Sequence, residues 1–255
     1  MKKIPIIAYQ ILIWLPIFLI LTTLTALIVT VGCILGGERF FSYHPGVWWS
    51  RSVCFISLCP VKISGLEKLD RKQSYIFVSN HQSIYDIFLI YGYIDQPIKW
   101  VMKKSLMKLP LVGLACKKAG FIFVDDSTPQ AAAKTIEKAK QRLRNGNSIV
   151  IFPEGTRSKT GQLQKFKKGA SQMAIGTHLP IVPVTLNGTY EVMSPNSLLI
   201  TPHRLEIIIH DPIPVPESRT VDIRDNAILI RELTETTSTK IRSALWEHHQ
   251  PKTVR

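Results

Sequence analysis

His81 and Asp86 lie in the stretch Asn80-His81-Gln82-Ser83-Ile84-Tyr85-Asp86, a histidine and a carboxylate separated by four residues. An imidazole has an ordinary pKa of about 6.5 and can take a proton from a hydroxyl near neutral pH. A carboxylate that accepts the ring's other N–H fixes its tautomer and stabilises the imidazolium. General-base assistance of this kind is worth about two to four orders of magnitude in rate. The spacing also admits a purely local reading. Ser83-x-x-Asp86 is a capping box, with Ser83 as N-cap and Asp86 answering from the third helical position.

A second stretch, Phe152-Pro153-Glu154-Gly155-Thr156-Arg157-Ser158, offers a carboxylate, a glycine that lets backbone approach a ligand, and a guanidinium. The rigid fork of arginine suits a phosphate, and Lys165, Lys167 and Lys168 add positive field nearby. The alternative is an ordinary tight turn in which Glu154 and Arg157 pair with each other.

Both stretches follow short β-branched and aromatic runs, Tyr75-Ile76-Phe77-Val78 and Ser148-Ile149-Val150-Ile151. Such runs read as buried strands, and the carboxyl ends of strands are where parallel α/β sheets place their chemistry. Further strands are expected at 61–65, 99–102, 121–124, 181–186 and, as an edge strand, 204–210. Helical pieces are expected at 103–110, 111–118, 130–144, 166–178 and 221–248. Strands alternating with helices predict an α/β fold, a single mixed, largely parallel sheet flanked by helices.

The two stretches together resemble the glycerolipid acyltransferase family. The first looks like its His-x4-Asp motif and the second like its acceptor-binding motif. Gly120-Phe121-Ile122-Phe123-Val124-Asp125 and Ile181-Val182-Pro183-Val184 look like two further blocks, in the family's order. The resemblance covers roughly residues 61–214 and is strongest to bacterial 1-acylglycerol-3-phosphate acyltransferases. It implies transfer of an acyl chain from acyl-CoA or acyl carrier protein to the free hydroxyl of lysophosphatidic acid, giving phosphatidic acid. His81 would be the base and Asp86 its orienting partner. Glu154, Gly155, Thr156 and Arg157 would bind the acceptor, and the Lys103-Lys104 pair looks like a lysine site of the family. One departure is Asp125-Asp126, where the family commonly has Asp-Arg. It leaves another lysophospholipid or a lyso-aminolipid open as acceptor.

Direct transfer is expected rather than an acyl-enzyme. Gly169-Ala170-Ser171-Gln172-Met173 fails the Gly-x-Ser-x-Gly elbow at its last position, and no base neighbours Cys116 in sequence. No dinucleotide fingerprint or P-loop calls for a nucleotide cofactor, and no ligand spacing indicates a metal. The His248-His249 pair reads as a solvated tail, and His178, His203 and His210 as loop or strand-end residues.

The 255 residues carry a net charge of +14, from 32 basic and 18 acidic side chains, which suits an anionic partner. Residues 4–37 contain no charge, too long an apolar core for a signal peptide and long enough for a membrane helix. Either one helix spans with an end along the interface, or the chain bends near Pro16 or Gly36-Gly37 and returns. Residues 40–59 mix aromatics with Arg51, as in an interfacial helix or a buried core helix. The expected organisation is an anchor of hydrophobic helices over 1–60 and a catalytic domain over 61–255. The partners are membrane lipids, with the catalytic domain on the cytosolic face, the inner membrane in a bacterium. A tethered protein that binds nucleic acid is disfavoured, because the basic residues are scattered rather than gathered on one face.

Overall fold

The computed structural model describes residues 3–124, 135, 137–141, 143, 147–216 and 223–250. Asp125 and Asp126 lie outside them, as does part of the helix expected at 130–144, of which 137–141 are helical. The described strands are β1 (Val61–Ser64), β2 (Ile76–Ser79), β3 (Ile98–Lys103), β4 (Ile122–Val124), β5 (Ser148–Ile151), β6 (Ile181–Asn187) and β7 (Leu205–Ile209). They form one sheet in the order β1-β7-β6-β2-β5-β3-β4. Every pairing among them is parallel except β6 with β7, so the sheet is mixed and largely parallel, as expected.

β2 and β6 are buried along their whole length, which is why they read as unbroken apolar runs. Side chains alternate between two covered faces. Phe77, Val150 and Val182 enter one core, and Ile76, Val78, Ile149 and Ile181 enter the other. β7 was expected at an edge because its polarity alternates. It lies inside, between β6 and β1, and β1 with its own alternating burial takes the edge.

Besides the helical residues 137–141, the described helices are α1 (Lys3–Tyr9), α2 (Leu15–Ile34), α3 (Glu38–Phe41), α4 (His44–Ile56), α5 (Tyr85–Tyr93), α6 (Val112–Lys118), α7 (Gly169–Thr177), α8 (Thr189–Val192) and α9 (Ile223–Ala244). α4 and α5 cover the first face of the sheet, through Val53, Cys54, Phe88 and Leu89. α7 and α9 cover the second, through Ala170, Met173, Leu233 and Ile241.

α1 and α2 run as one helix through a π-helical turn at Gln10–Trp14, immediately before Pro16. The wide turn makes room for the ring of Pro16, which has no N–H to donate back along the helix. The stretch Pro5–Ile34 is long and apolar enough to cross a membrane, and only 17% of its most apolar window is buried inside the protein. Its 30 residues would extend about 45 Å, against about 30 Å of hydrocarbon. Gly36, at φ +89°, turns the chain back, and α4 returns along α2.

Three contacts fasten this helical layer to the sheet. Ala26 and Val29 of α2 pack on Ala115 and Ala119 at α6. The Nζ of buried Lys99 donates to Ser42 Oγ at 2.9 Å and to the Ala119 carbonyl at 2.7 Å. Ser57 Oγ accepts from Trp14 Nε1 at 2.8 Å and lies 2.6 Å from Tyr85 Oη. α4 therefore shares the core of the sheet while its outer residues Trp48 and Phe55 stay exposed.

Candidate active site

β2 and β5 are hydrogen-bonded neighbours that point the same way, so the turns that leave them come off one edge of the sheet. Asn80 sets the first turn in place. Its side-chain amide donates to the Leu186 carbonyl and accepts from the Leu186 N–H, both at 2.9 Å, which pins the end of β2 to β6. The chain then reverses, and Asp86 comes back beneath His81.

The Oδ2 of Asp86 receives three donors: His81 Nδ1 at 2.7 Å, the Gln82 N–H at 2.7 Å and the Ser83 N–H at 2.8 Å. Asp86 is fully buried. An ionised carboxylate only accepts, so the His81 proton sits on Nδ1, and Nε2 presents its lone pair. The capping reading and the His81–Asp86 contact coexist. Asp86 reaches back to the Ser83 N–H, as a capping box requires, while Ser83 Oγ accepts from the Tyr85 N–H at 3.2 Å. One oxygen atom serves both.

Glu154 joins the two turns across 73 residues of sequence. Its Oε1 accepts the His81 N–H at 2.7 Å and its Oε2 accepts the Gln164 N–H at 3.0 Å. Burial pushes its carboxyl up to about 7, against the pull of these two N–H donors. No ion pair joins it to Arg157 among the described residues. The tight-turn pairing is therefore not what holds this loop. The Ser158 N–H returns to the His81 carbonyl at 2.8 Å, and Gln82 Nε2 donates to the Gly161 carbonyl.

Gly155 needs its glycine. It sits at φ +77°, and a Cβ there would come within 2.7 Å of Lys167 Nζ. Thr156 and Arg157 are exposed at the open side of the loop. The His81 ring stacks on Phe152, with centroids 3.9 Å apart and planes 9° apart, and Phe152 in turn lies against Trp100. Lys103 ends β3 and Lys104 follows it, on the same carboxyl edge and beyond β5. Both are exposed, and no hydrogen bond or ion pair joins Lys103 to His81, Asp86, Glu154 or Arg157 among the described residues.

The residues passed over by sequence reasoning are those that hold the turn. Asn80 and Gln82 flank the half-buried His81 and are themselves fully buried; polar residues directly after an apolar strand are a signal the sequence does carry. Gln164 and Phe152 gave none. The other candidate nucleophiles are occupied. Ser171 bonds Thr234 Oγ1 at 2.7 Å between α7 and α9, and burial pushes the Cys116 thiol up to about 11. The four cysteines are free thiols. The solvated-tail reading of the C-terminal histidines fails: His249 is 2% exposed, and both it and His248 come to Glu191. His210 Nε2, by contrast, bonds Thr185 Oγ1 at 2.8 Å at a strand end, as expected.

A family model described as Acyltransferase matches residues 60–187. The 1-acyl-sn-glycerol-3-phosphate acyltransferase of Borreliella burgdorferi is 32% identical over 173 residues, covering 65% of this chain and 69% of that protein. The chloroplastic 1-acyl-sn-glycerol-3-phosphate acyltransferase of Brassica napus is 34% identical over 178 residues, 69% of this chain and 51% of its own length. The matched part of the chain thus spans about half the length of the plant relatives. The crystal structure of the 1-acyl-sn-glycerophosphate acyltransferase of Thermotoga maritima superposes with a TM-score of 0.63 at 25% identity, covering 90% of this chain and 97% of that one. The matched segment begins just before β1, ends with β6 and contains both turns that meet at His81, and with these likenesses it makes the chain a member of the Acyltransferase family.

Proposed function

We propose that the protein transfers an acyl chain from an acyl thioester, carried by CoA or acyl carrier protein, to the free hydroxyl of 1-acylglycerol 3-phosphate, giving phosphatidic acid. The observation that carries the reading is the His81 Nδ1 to Asp86 Oδ2 contact of 2.7 Å at the carboxyl end of β2. It stands beside a loop that offers Gly155, Thr156 and Arg157. The matched relatives, plant and bacterial, are named for this reaction.

In this mechanism His81 Nε2 takes the acceptor hydroxyl's proton as its oxygen attacks the thioester carbonyl. The C–O ester bond forms and the C–S bond breaks. The thiolate, whose parent thiol is only weakly acidic at about pKa 8.5, leaves and collects the proton from the imidazolium. Asp86 holds the tautomer and balances the charge on the ring. Arg157 grips the acceptor phosphate in bidentate fashion, with Lys103, Lys104 and the Lys167 beside Gly155 adding positive field. Glu154 acts by tying the two turns together, since both its oxygens accept backbone N–H groups.

Residues 1–60 anchor the enzyme and residues 61–255 carry the chemistry on the cytosolic face, where thioester donors are made. The exposed apolar residues of α2, α4 and the 104–114 stretch support the membrane association, among them Leu24, Ile28, Trp48, Phe55, Leu106 and Leu114. The test is acyl transfer by purified wild type and His81→Ala, with CoA and carrier-protein donors against a panel of lysolipid acceptors. Transfer should fall by about two to four orders of magnitude. Undiminished transfer by the variant removes the base, and preference for a phosphate-free acceptor removes phosphatidate synthesis.

A further inference from the structure

A second cluster of chemistry-bearing side chains lies behind the loop that follows β5. Glu191 stands in α8, just after β6, and His248 and His249 stand in the 3-10 turn Glu247–His249 that follows α9. The Nε2 atoms of both histidines lie 2.8 Å from the same oxygen, Glu191 Oε1, and the three ligand atoms fall within 4.8 Å of one another.

Hydrogen bonding accounts for only part of this convergence. His248 Nε2 bonds Glu191 Oε1 in ordinary geometry. His249 Nε2 lies at the same distance from Oε1 as an ion-pair contact, yet the ring is 2% exposed and neither of its nitrogens makes an in-line hydrogen bond among the described residues. The second oxygen, Glu191 Oε2, is likewise buried without a partner. A buried imidazole held only by an off-line ion-pair contact and a buried carboxylate oxygen without a hydrogen bond are each unfavourable. A cation between them would satisfy both at once.

We propose that Glu191, His248 and His249 form a site for a divalent transition-metal ion of the Zn²⁺ class. Two imidazoles and a carboxylate are a donor set that zinc accepts with a fourth position open to water. Imidazole nitrogen excludes the hard, oxygen-seeking Mg²⁺ and Ca²⁺. Tetrahedral zinc holds its ligand atoms roughly 3.3 Å apart, between the 2.8 Å of the two nitrogen–oxygen contacts and the 4.8 Å that bounds the cluster.

The ion would join the end of the chain to the segment after β6, behind the candidate active site rather than in it. The His249 carbonyl accepts the Leu163 N–H at 3.2 Å, and its ring packs on Gly161, where a Cβ would come within 3.0 Å of Cε1 and Nδ1. Gly161 in turn holds Gln82, the residue after His81. The site is therefore a clamp on the loop that supports the base, and it stands whether or not the acyl-transfer reading does.

The experiment uses the full chain in detergent, stripped of metal by dialysis against a chelator and titrated with Zn²⁺ alone. Bound metal per chain and thermal unfolding are both read. Wild type should take up one Zn²⁺ with a saturable rise in Tm. His248→Ala, at a side chain 60% exposed and so tolerant of truncation, and Glu191→Gln should each weaken Zn²⁺ binding by at least about tenfold. No uptake by wild type would mean an ion-pair cluster of protein groups only. Equal stabilisation of wild type and both variants would mean zinc bound elsewhere. Either result overturns the proposal.

Discussion

Asp86→Asn separates the charge of Asp86 from its hydrogen bonds, because one oxygen does everything. Oδ2 accepts from the Gln82 and Ser83 N–H groups as well as from His81 Nδ1. An asparagine must keep its carbonyl oxygen toward those two backbone donors, since its NH₂ there would meet N–H with N–H. The same oxygen then still accepts the His81 N–H, so the tautomer survives and only the negative charge is lost. A hydrogen bond to a charged group contributes about 1.5–3 kcal/mol, and the contact matters most when His81 becomes imidazolium. A loss of about 2–3 kcal/mol in the transition state corresponds to a fall in kcat of roughly 30- to 150-fold. The new NH₂ takes the place of Oδ1, which is buried without a partner, so Tm should fall as well. Asp86→Ala strands the two N–H groups and frees the ring, and should approach His81→Ala in rate. Thiol release from the acyl donor, followed in parallel with thermal unfolding, measures both. Activity of Asp86→Asn within twofold of wild type would refute charge stabilisation. Activity as low as His81→Ala would refute the retained tautomer.

Glu154 makes a pH-dependent contribution with a definite sign. Its folded pKa of about 7 lies above the ordinary 4.5, so the folded state holds a proton that the unfolded chain has released between those values. Stability should therefore fall as pH rises from about 4.5 to 7 and level off above. The urea midpoint of wild type minus that of Glu154→Gln should trace this slope, and a pH-independent difference would contradict it. Gly155→Ala forces a side chain into the left-handed region and against Lys167 Nζ. It should cost about 1–2 kcal/mol of stability and raise KM for the acceptor more than it lowers kcat. Lys99→Met keeps the buried stem and removes the bonds to Ser42 and the Ala119 carbonyl. It should destabilise the protein by about 1–3 kcal/mol with little change in KM, as read by thermal unfolding in detergent.

What the sequence made legible is what lies close along the chain. His81, Ser83 and Asp86 fall within six residues, and the strands on either side of the two turns announce themselves by β-branched apolar runs. What escaped is what a residue meets across the chain. Glu154 reads as a ligand for a substrate, and only the fold shows its oxygens taken by His81 and Gln164 N–H groups. Lys99 reads as one polar residue in a strand, yet its ammonium is buried against α6 and the α3–α4 turn. His248 and His249 read as a tail because nothing near them in sequence hints at Glu191. The alternation of β7 gave its exposure correctly and its place in the sheet wrongly, since Glu206 and Ile208 on one face stay only partly buried although β1 pairs with the strand on its outer side.

The order of the sheet also sets a timetable for synthesis. β2 pairs with β5 and β6, and β1 pairs with β7, so both early strands find their described partners only in chain made later. At about 5–20 residues per second, the roughly 70 residues from β2 to β5 take on the order of 3 to 14 seconds to emerge. Throughout that interval Ile76, Phe77 and Val78 belong to an unpaired apolar strand on a ribosome-bound chain, the kind of segment that aggregates. The apolar helix precedes all of these strands in the chain. With Pro5–Ile34 in the bilayer, as proposed above, the nascent chain would wait for its partners at a surface rather than free in solution.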